Sequence, residues 1–248
     1  MSELSIIMYH YVRPISSSNF PKIRGLELDG FQRQLDYLNE NFNIITTEQV
    51  VAACINGAKL PSNACWLTFD DGYKDILNNA LPILKKYNFK ATSFFVTNLI
   101  GQNNSWDVKK KSYIKKEIMN PSDILQWISS GMHIGSHSHN HVDLTKISEE
   151  KLLYELEFSK KFLEDKFDNK NNIFCYPYGK VNENVHYHTK KFYSKAVTTN
   201  RSRYSLKRHN THLIPRIDMG KNFSSFKLYL KLETIYEDIK YKKNELYL

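Results

Sequence analysis

The sequence is poor in cysteine, and what little it has excludes two classes of small protein. Its three cysteines, Cys54, Cys65 and Cys175, are an odd number and are widely spaced. Neither a disulfide framework nor a CxxC metal knuckle fits this pattern. Cys65 and Cys175 lie inside apolar, strand-like runs, where cysteine usually acts as a small core residue. We therefore expect a reducing compartment.

Long apolar runs are also missing. No segment reaches about 18 consecutive apolar residues, so no transmembrane helix is expected. The N-terminal stretch lacks the basic region and the long apolar region of a signal peptide, and we expect a cytoplasmic protein. In residues 226–247 apolar and Lys residues alternate at helical spacing. Such a helix usually docks against its own domain, and peripheral contact with the inner face of an anionic membrane stays open as the alternative.

The charge of the chain is one-sided, with a formal net charge of +9. A positive surface favours nucleic acid, anionic membranes or phosphorylated substrates. The lysines are spread along the chain, however, and no motif that combines aromatic and basic residues appears. We therefore expect no nucleic-acid partner.

The chain is long enough for one large domain, and strand-like and helix-like patterns alternate along it. This alternation predicts a mainly parallel α/β sheet, and about seven strands favour a barrel. We expect one domain over 1–248, with a basic C-terminal helix at about 224–248. Strands are predicted at 4–9, 43–45, 64–69, 91–96, 132–135, 173–176, 196–199 and 213–217. Helices are predicted at 30–42, at 48–56 with Thr47 as cap and Gly57 at the end, at 74–86, at 121–130 with Asn120 as cap, and at 148–167.

Polar residues follow directly after several of these predicted strands. They are His10, the pair Asp70 and Asp71, the segment 137–141, and the pair Pro177 and Tyr178. In a parallel barrel the carboxyl ends of the strands share one face, where active sites gather. We therefore expect these residues to converge.

Adjacent carboxylates at a strand end point in different directions. One of Asp70 and Asp71 can therefore bind a metal while the other stays free as a base, and Gly72 allows a tight turn or a close backbone approach. An ordinary Asp-Gly turn is an equally good explanation of this segment alone.

The histidines supply the rest of a metal site. His137 and His141 are four residues apart, which allows two imidazoles to share an ion. His139 is a competing ligand, although the spacing favours His137 with His141. Two imidazoles and one carboxylate leave coordination positions open for water and substrate, an arrangement suited to hydrolysis of a carbonyl compound.

Three segments together resemble the NodB-type polysaccharide deacetylase family, carbohydrate esterase family four. Residues 67–73 (LTFDDGY) and 137–141 (HSHNH) resemble its first two signature motifs, and residues 174–179 (FCYPYG) resemble its third. Residues 8–10 (MYH) resemble the poly-N-acetylglucosamine deacetylase branch, whose motif order is circularly permuted. The resemblance implies a distorted, (β/α)7-like TIM barrel, the NodB homology fold.

The resemblance also implies a division of roles. Asp71, His137 and His141 would bind a divalent metal, zinc or else cobalt, nickel or manganese. Asp70 would be the general base.

The resemblance implies two further roles, for residues at the ends of strands that are far apart in the sequence. His10 would be the general acid that protonates the leaving amine. The backbone N–H of Tyr178 would help to hold the tetrahedral oxyanion, and Pro177 belongs to the same substrate-facing segment.

The third motif departs from the family pattern. Many members have an Arg where this chain has Cys175, and that Arg orients the base. Another residue must then orient Asp70, and Arg216 and Arg201 are the candidates.

The sequence thus predicts a metal-dependent hydrolase that removes an N-acetyl group from an acetamido sugar of a cell-envelope glycan or its precursor. The carrier of that sugar could be a lipid or a nucleotide. The alternatives are a deformylase of a lipid-linked aminosugar and a non-catalytic sugar-binding module. The sugar, the linkage, the native metal and the oligomeric state stay open.

Overall fold

The computed structural model describes residues 4–14, 26–110, 113–170, 172–205 and 207–240. Within these residues, strands and helices alternate along the chain. The strands are β1 Ser5–Tyr9, β2 Val12–Arg13, β3 Leu26–Glu27, β4 Asn43–Ile44, β5 Ala64–Phe69, β6 Ala91–Phe95, β7 His133–Ser136, β8 Ile173–Cys175, β9 Lys195–Val197 and β10 Ile217–Asp218. The helices are α1 Leu28–Asn41, α2 Thr47–Asn56, α3 Leu81–Lys86, α4 Pro121–Ser129, α5 Glu149–Phe167, α6 Glu183–Phe192 and α7 Ser225–Glu233.

One parallel sheet forms the centre of the fold. Its strand order is β10-β1-β5-β6-β7-β8-β9, and β4 pairs with β5. Ile217, in β10, pairs with Ile7 of β1. Ile214, just before β10, bridges Val197 of β9, so the two ends of this order approach each other. The sheet therefore curls, with helices around it, and the predicted (β/α)-barrel type of fold is confirmed.

Strand β5 shows how the sequence places the site. All six of its residues are buried, because the strand has a core on each face. Leu67 and Phe69 pack with the helices, whereas Trp66 packs among side chains of the neighbouring strands. Since side chains alternate along a strand, Asp70 follows Trp66 and Thr68 toward the inside of the curled sheet.

The cap of α2 differs by one residue from the prediction. Thr46, not Thr47, is the cap: its side chain accepts from Gln49 N, and the Gln49 side chain accepts from Thr46 N at 2.8 Å. Only Thr46 has a residue three positions later that can return the bond, because Thr47 is followed there by Val50. Two other predicted boundaries are confirmed: Gly57 ends α2 at φ 65°, and Asn120 caps α4.

The predicted single helix 74–86 is interrupted. A π-helical turn at Ile76–Ala80 precedes α3, and the N–H of Leu81 bonds back to Ile76 O. Pro82 explains the change, because it has no N–H for a helical bond and its ring crowds the carbonyl four residues earlier. The wider turn relieves that crowding.

Helix α6, Glu183–Phe192, has no counterpart in the sequence prediction. Its cap is Asn182, whose side chain accepts from Val185 N at 2.9 Å. The buried face consists of Val185, His188 and Thr189. Two of these three residues are polar, so the helix carries little apolar periodicity to detect.

The C-terminal region is described as far as residue 240. Helix α7 begins after its cap Ser224 and buries Leu228 and Leu232 in the core cluster that also contains α1. A short 3-10 turn, Asp238–Lys240, follows. Helix α7 ends at Glu233, because Thr234 has an extended backbone, so the predicted single helix at about 224–248 is too long. Residues 241–248 of that prediction lie outside the described residues. No helix in the described part of the chain has both the length and the apolar character needed to cross a membrane.

Candidate active site

The carboxyl ends of several strands surround one cavity of about 250 Å³. His10 follows β1, Asp70 and Asp71 follow β5, and His137 follows β7. All four line the cavity together with a few residues from loops. The structure thus brings together side chains that the sequence placed after separate strands.

Asp71, His137 and His141 form the candidate metal centre. Asp71 Oδ1 lies 3.4 Å from Nε2 of His137 and 3.4 Å from Nε2 of His141. One ligand atom from each residue falls within 4.8 Å of the others, and all three residues are buried. Two imidazole nitrogens and one carboxylate oxygen in this arrangement fit a divalent cation of the zinc type.

The neighbours of the two imidazoles support this arrangement. Nδ1 of His137 lies 2.7 Å from the carbonyl oxygen of Cys175. A proton on Nδ1 then leaves the Nε2 lone pair directed at the centre. The ring of His141 lies between two other rings, stacked on Trp106 at 4.4 Å and edge-on to Tyr178 at 4.6 Å.

His139, the competing ligand, lies outside this cluster. Its Nδ1 is 2.8 Å from Oγ1 of Thr97, and its ring packs against Phe158. The backbone N–H groups of His139 and Asn140 both donate to the carboxylate of buried Glu155, at 2.8 Å. Glu155 therefore fixes the loop between the two metal-site histidines, a function that its place within a helix does not indicate in the sequence.

The loops at the site use backbone conformations that are unfavourable for most residues. Asp71, Ser138, His141 and Tyr178 all have positive φ, between 56° and 73°. Such strain gathers at functional sites when the surrounding structure compensates for it. Gly72 is required for steric reasons as well, because a Cβ at this position would lie 2.4 Å from Phe95 Cδ1.

Asp70 is held by a buried two-pronged ion pair. Nη1 and Nη2 of Arg216 each lie 2.7 Å from one of its carboxylate oxygens. The guanidinium also donates to Thr68 Oγ1 at 3.0 Å and to the Thr198 carbonyl at 2.8 Å. Burial alone would raise the pKa of Asp70, but the charge and hydrogen bonds of Arg216 outweigh burial and leave it below its ordinary value. The carboxylate is therefore ionised and fixed in orientation.

Arg216 also accounts for the unusual third motif. Its Nη2 lies 3.2 Å from Cys175 Sγ, so the guanidinium fills the space beside that small side chain. Arg201, the other candidate, binds Glu237 at 2.7 and 2.8 Å instead. Of the two arginines, only Arg216 contacts Asp70.

The remaining predicted residues lie at the edge of the cavity. His10 and Tyr178 line it, and the Tyr178 ring is 43% exposed. Pro177 is buried next to Tyr178, at the start of the 3-10 turn Pro177–Gly179.

One wall of the cavity comes from residues 101–119, a polar, Lys-rich segment of the sequence. Bridges between Tyr73 and Ile118 and between Asn103 and Glu117 tie this segment to itself and to the site. It contributes Trp106 to the cavity wall, stacked on a metal-site histidine. A lone Trp in a polar, Lys-rich stretch was the only signal in the sequence.

A protein-family model described as polysaccharide deacetylase matches residues 57–197. The chain belongs to the polysaccharide deacetylase family. The matched range contains Asp70, Asp71 and both metal-site histidines, whereas His10 and Arg216 come from outside it.

Individual relatives agree with this assignment. The chain is 30% identical over 234 residues to YxkH of Bacillus subtilis (strain 168), covering 93% of this chain and 77% of the relative. It is 28% identical over 218 residues to the poly-beta-1,6-N-acetyl-D-glucosamine N-deacetylase of Staphylococcus aureus (strain MRSA252), covering 84% and 72%.

Solved structures support the fold. Deacetylase PplD of Streptococcus pyogenes, in complex with acetate, has a TM-score of 0.80 and 26% identity, over 93% of this chain and 98% of that one. IcaB from Ammonifex degensii has a TM-score of 0.73 at 20% identity, over 92% and 94%, which supports the fold alone. The protein is a hydrolase of amide bonds in acetylated sugars, as the sequence predicted.

Proposed function

We propose that the protein removes the N-acetyl group from an acetamido sugar of a cell-envelope glycan or glycan precursor, in a metal-dependent hydrolysis. The observation that carries the proposal is the pairing of two carboxylates with different surroundings. Asp71 faces two imidazoles, whereas Asp70 is held by Arg216 in the same cavity. Neighbouring carboxylates with such different surroundings can take different roles, one as metal ligand and the other as base.

Asp71, His137 and His141 would hold the metal, with zinc first and cobalt, nickel or manganese as alternatives. When bound, such an ion polarises water and the amide carbonyl as a Lewis acid. Among the described residues no hydrogen-bond partner faces Nδ1 of His141, so its ring is positioned by packing between Trp106 and Tyr178.

The other residues move the protons and hold the substrate. Asp70 would take the proton of the attacking water, because Arg216 keeps its carboxylate ionised and aimed into the cavity. His10 would donate a proton to the leaving amine. The backbone N–H of Tyr178 would stabilise the oxyanion of the tetrahedral state, with Pro177 fixing the turn that presents it.

The test is acetate release from N-acetylhexosamine substrates by metal-loaded protein. The panel includes β-1,6-linked N-acetylglucosamine oligomers, chosen because of the staphylococcal relative, together with lipid-linked and nucleotide-linked N-acetyl sugars. Asp70→Asn is expected to lower the rate by about 100-fold or more, since general-base catalysis contributes that much. Asp168→Asn is the matched control, because Asp168 is an exposed residue at the end of α5.

The outcomes separate the alternatives. Release of formate in place of acetate would favour the deformylase. Sugar binding with neither product would favour the non-catalytic module, and equal acetate release by wild type and Asp70→Asn would contradict the assigned base.

A further inference from the structure

Lys116 lies at the cavity in a position that the assigned reaction does not use. Its backbone is fixed by Asn104, which is 1% exposed. Lys116 N donates to Asn104 Oδ1 at 2.7 Å, and Asn104 N donates to the Lys116 carbonyl at 3.1 Å. The side chain therefore starts from a well-defined anchor on the wall of the cavity.

Two aromatic rings hold the ammonium group of Lys116. Its Nζ lies 3.7 Å from the ring centroid of Tyr11 and 4.9 Å from that of Tyr73. The two rings meet edge to face at 6.2 Å. Contacts of this kind orient a cation and shield it from solvent without neutralising its charge.

No carboxylate in the described part of the chain forms an ion pair with Lys116. Asp71, Asp75 and Asp107 act on it through space only, and burial lowers its pKa against their influence. Lys110, the other lysine at this cavity, is by contrast paired with Asp107. Of the two lysines that line the cavity, Lys116 is thus the one that no carboxylate among the described residues contacts.

With a divalent ion bound, the charges around the cavity would leave a positive excess, even with Asp75 counted as ionised. Arg216 cancels Asp70, and Lys110 cancels Asp107. A divalent ion held by Asp71 would retain one positive charge, to which Lys116 adds another. The whole chain carries a formal net charge of +9, which attracts anionic molecules toward such a cleft.

We infer that Lys116 forms a subsite for an anionic substituent, a carboxylate or a phosphate, carried by the reacting amino sugar or by its neighbour. The inference rests on the proposed function and narrows its substrate class from N-acetylated sugars in general to acidic ones. The ammonium is a compact charge that suits carboxylate and phosphate oxygens. The partly exposed ring of Tyr11 beside it offers apolar surface for a sugar face.

The test compares matched substrates on the metal-loaded full chain. These are a neutral N-acetylglucosamine oligomer, the same oligomer with a carboxyalkyl ether, and the same oligomer with a phosphate ester. For wild type, KM is expected to be about tenfold lower for at least one acidic oligomer than for the neutral oligomer. Comparison of the two acidic oligomers identifies which anion is preferred.

Lys116→Met is expected to remove that preference, with KM for the neutral oligomer within about twofold of wild type. Lys116→Arg, which keeps the charge, is expected to retain most of the preference. Lys115→Met is the matched control, because Lys115 is the exposed neighbour. Equal KM values for neutral and acidic oligomers in wild type, or an equal effect of Lys116→Met on both, would overturn the inference.

Calorimetric binding of the same oligomers separates this inference from the proposed function. If neither these oligomers nor the lipid-linked and nucleotide-linked N-acetyl sugars are hydrolysed, the proposed function fails. The inference of an anionic subsite is then supported if acidic oligomers bind wild type more tightly than neutral ones and Lys116→Met abolishes the difference. Any other binding result contradicts it. Thermal melting of each variant shows whether a loss of binding is a loss of folding.

Discussion

The pair formed by Asp70 and Arg216 is the most consequential contact between single residues. Both side chains are almost fully buried, so each charge depends on the other. Removing one partner of a buried pair typically costs about 3–5 kcal/mol, because the remaining charge is left without compensation.

Arg216→Met is therefore expected to lower the free energy of unfolding by about 3 kcal/mol and kcat by about 100-fold or more. Chemical denaturation and acetate release measure the two effects. The control is Arg201→Met, which removes an arginine paired with Glu237 rather than with Asp70 and should leave kcat unchanged.

A double variant tests whether Arg216 acts in place of an arginine at position 175. Because Cys175 Sγ lies 3.2 Å from the guanidinium, Cys175→Arg combined with Arg216→Ala should recover part of the activity lost in Arg216→Ala alone. Full activity in Arg216→Met would show that Asp70 does not need this partner.

The two histidines at positions 139 and 141 offer a second test at this scale. His141→Asn should weaken zinc binding by more than about 100-fold. Even the loss of a residue that only orients a metal ligand typically lowers metal affinity by about 10- to 100-fold. His139→Asn should keep one zinc per chain, because its ring faces Thr97 and Phe158. Metal analysis after dialysis measures both, and equal zinc loss in the two variants would contradict the ligand assignment.

At the scale of elements, the residues after α7 are tied to the barrel by a buried acid. Glu237 is fully buried and accepts from Lys231, which lies in α7, and from Arg201, which follows β9. Burial would raise the pKa of Glu237, but its hydrogen bonds with these two cations outweigh burial and lower it. The same turn is held a second time by Asp238, which binds Arg203.

The depressed pKa of Glu237 predicts how stability depends on pH. The stabilisation by the charge of Glu237 is fully present when the pH lies above the ordinary pKa of Glu in an unfolded chain. It is lost as the pH falls from there through the lower pKa that Glu237 has in the folded protein. The free energy of unfolding of Glu237→Gln should therefore be about 3 kcal/mol lower than that of wild type at pH 7. This difference should shrink below about pH 4.

Thermal and chemical unfolding at pH 7 and pH 3.5 measure this difference. Glu157→Gln, on the exposed face of α5, is the matched control and should follow wild type at both pH values. A difference that does not change with pH would mean that the charge of Glu237 is not what stabilises the turn.

The sequence predicts elements where a local pattern exists and misses them where it does not. The cap at Asn120 and the buried strand β5 are set by neighbouring residues, and both are confirmed. The interruption before α3 comes from Pro82, and the cap of α2 from a bond returned by Gln49. Pro82 and Gln49 are both present in the sequence, but their local effects become clear only in the structure.

At the scale of the whole molecule, the parallel barrel explains why the site was largely predictable. Residues at strand ends must meet, so His10, Asp70, Asp71 and His137 could be grouped before any coordinates were known. Arg216 was only one of two candidates, because its contact with Asp70 depends on how the last strand closes the sheet. Trp106 and Lys116 were missed, since loop residues follow no periodic pattern.

The predicted cytoplasmic location, with or without contact at the inner face of an anionic membrane, stays a prediction. Cell fractionation with and without residues 241–248 measures it. The oligomeric state also stays open, and sedimentation of the full chain addresses it.

We propose above all that Asp71, His137 and His141 hold one metal ion on which deacetylation depends. The most direct measurement is a titration of zinc into metal-free protein while acetate release from an N-acetylglucosamine oligomer is followed. No acetate release is expected without metal, followed by a linear rise and a plateau at one zinc per chain, with no rise for His141→Asn. Undiminished release by metal-free protein, or an unchanged titration for His141→Asn, would contradict this proposal.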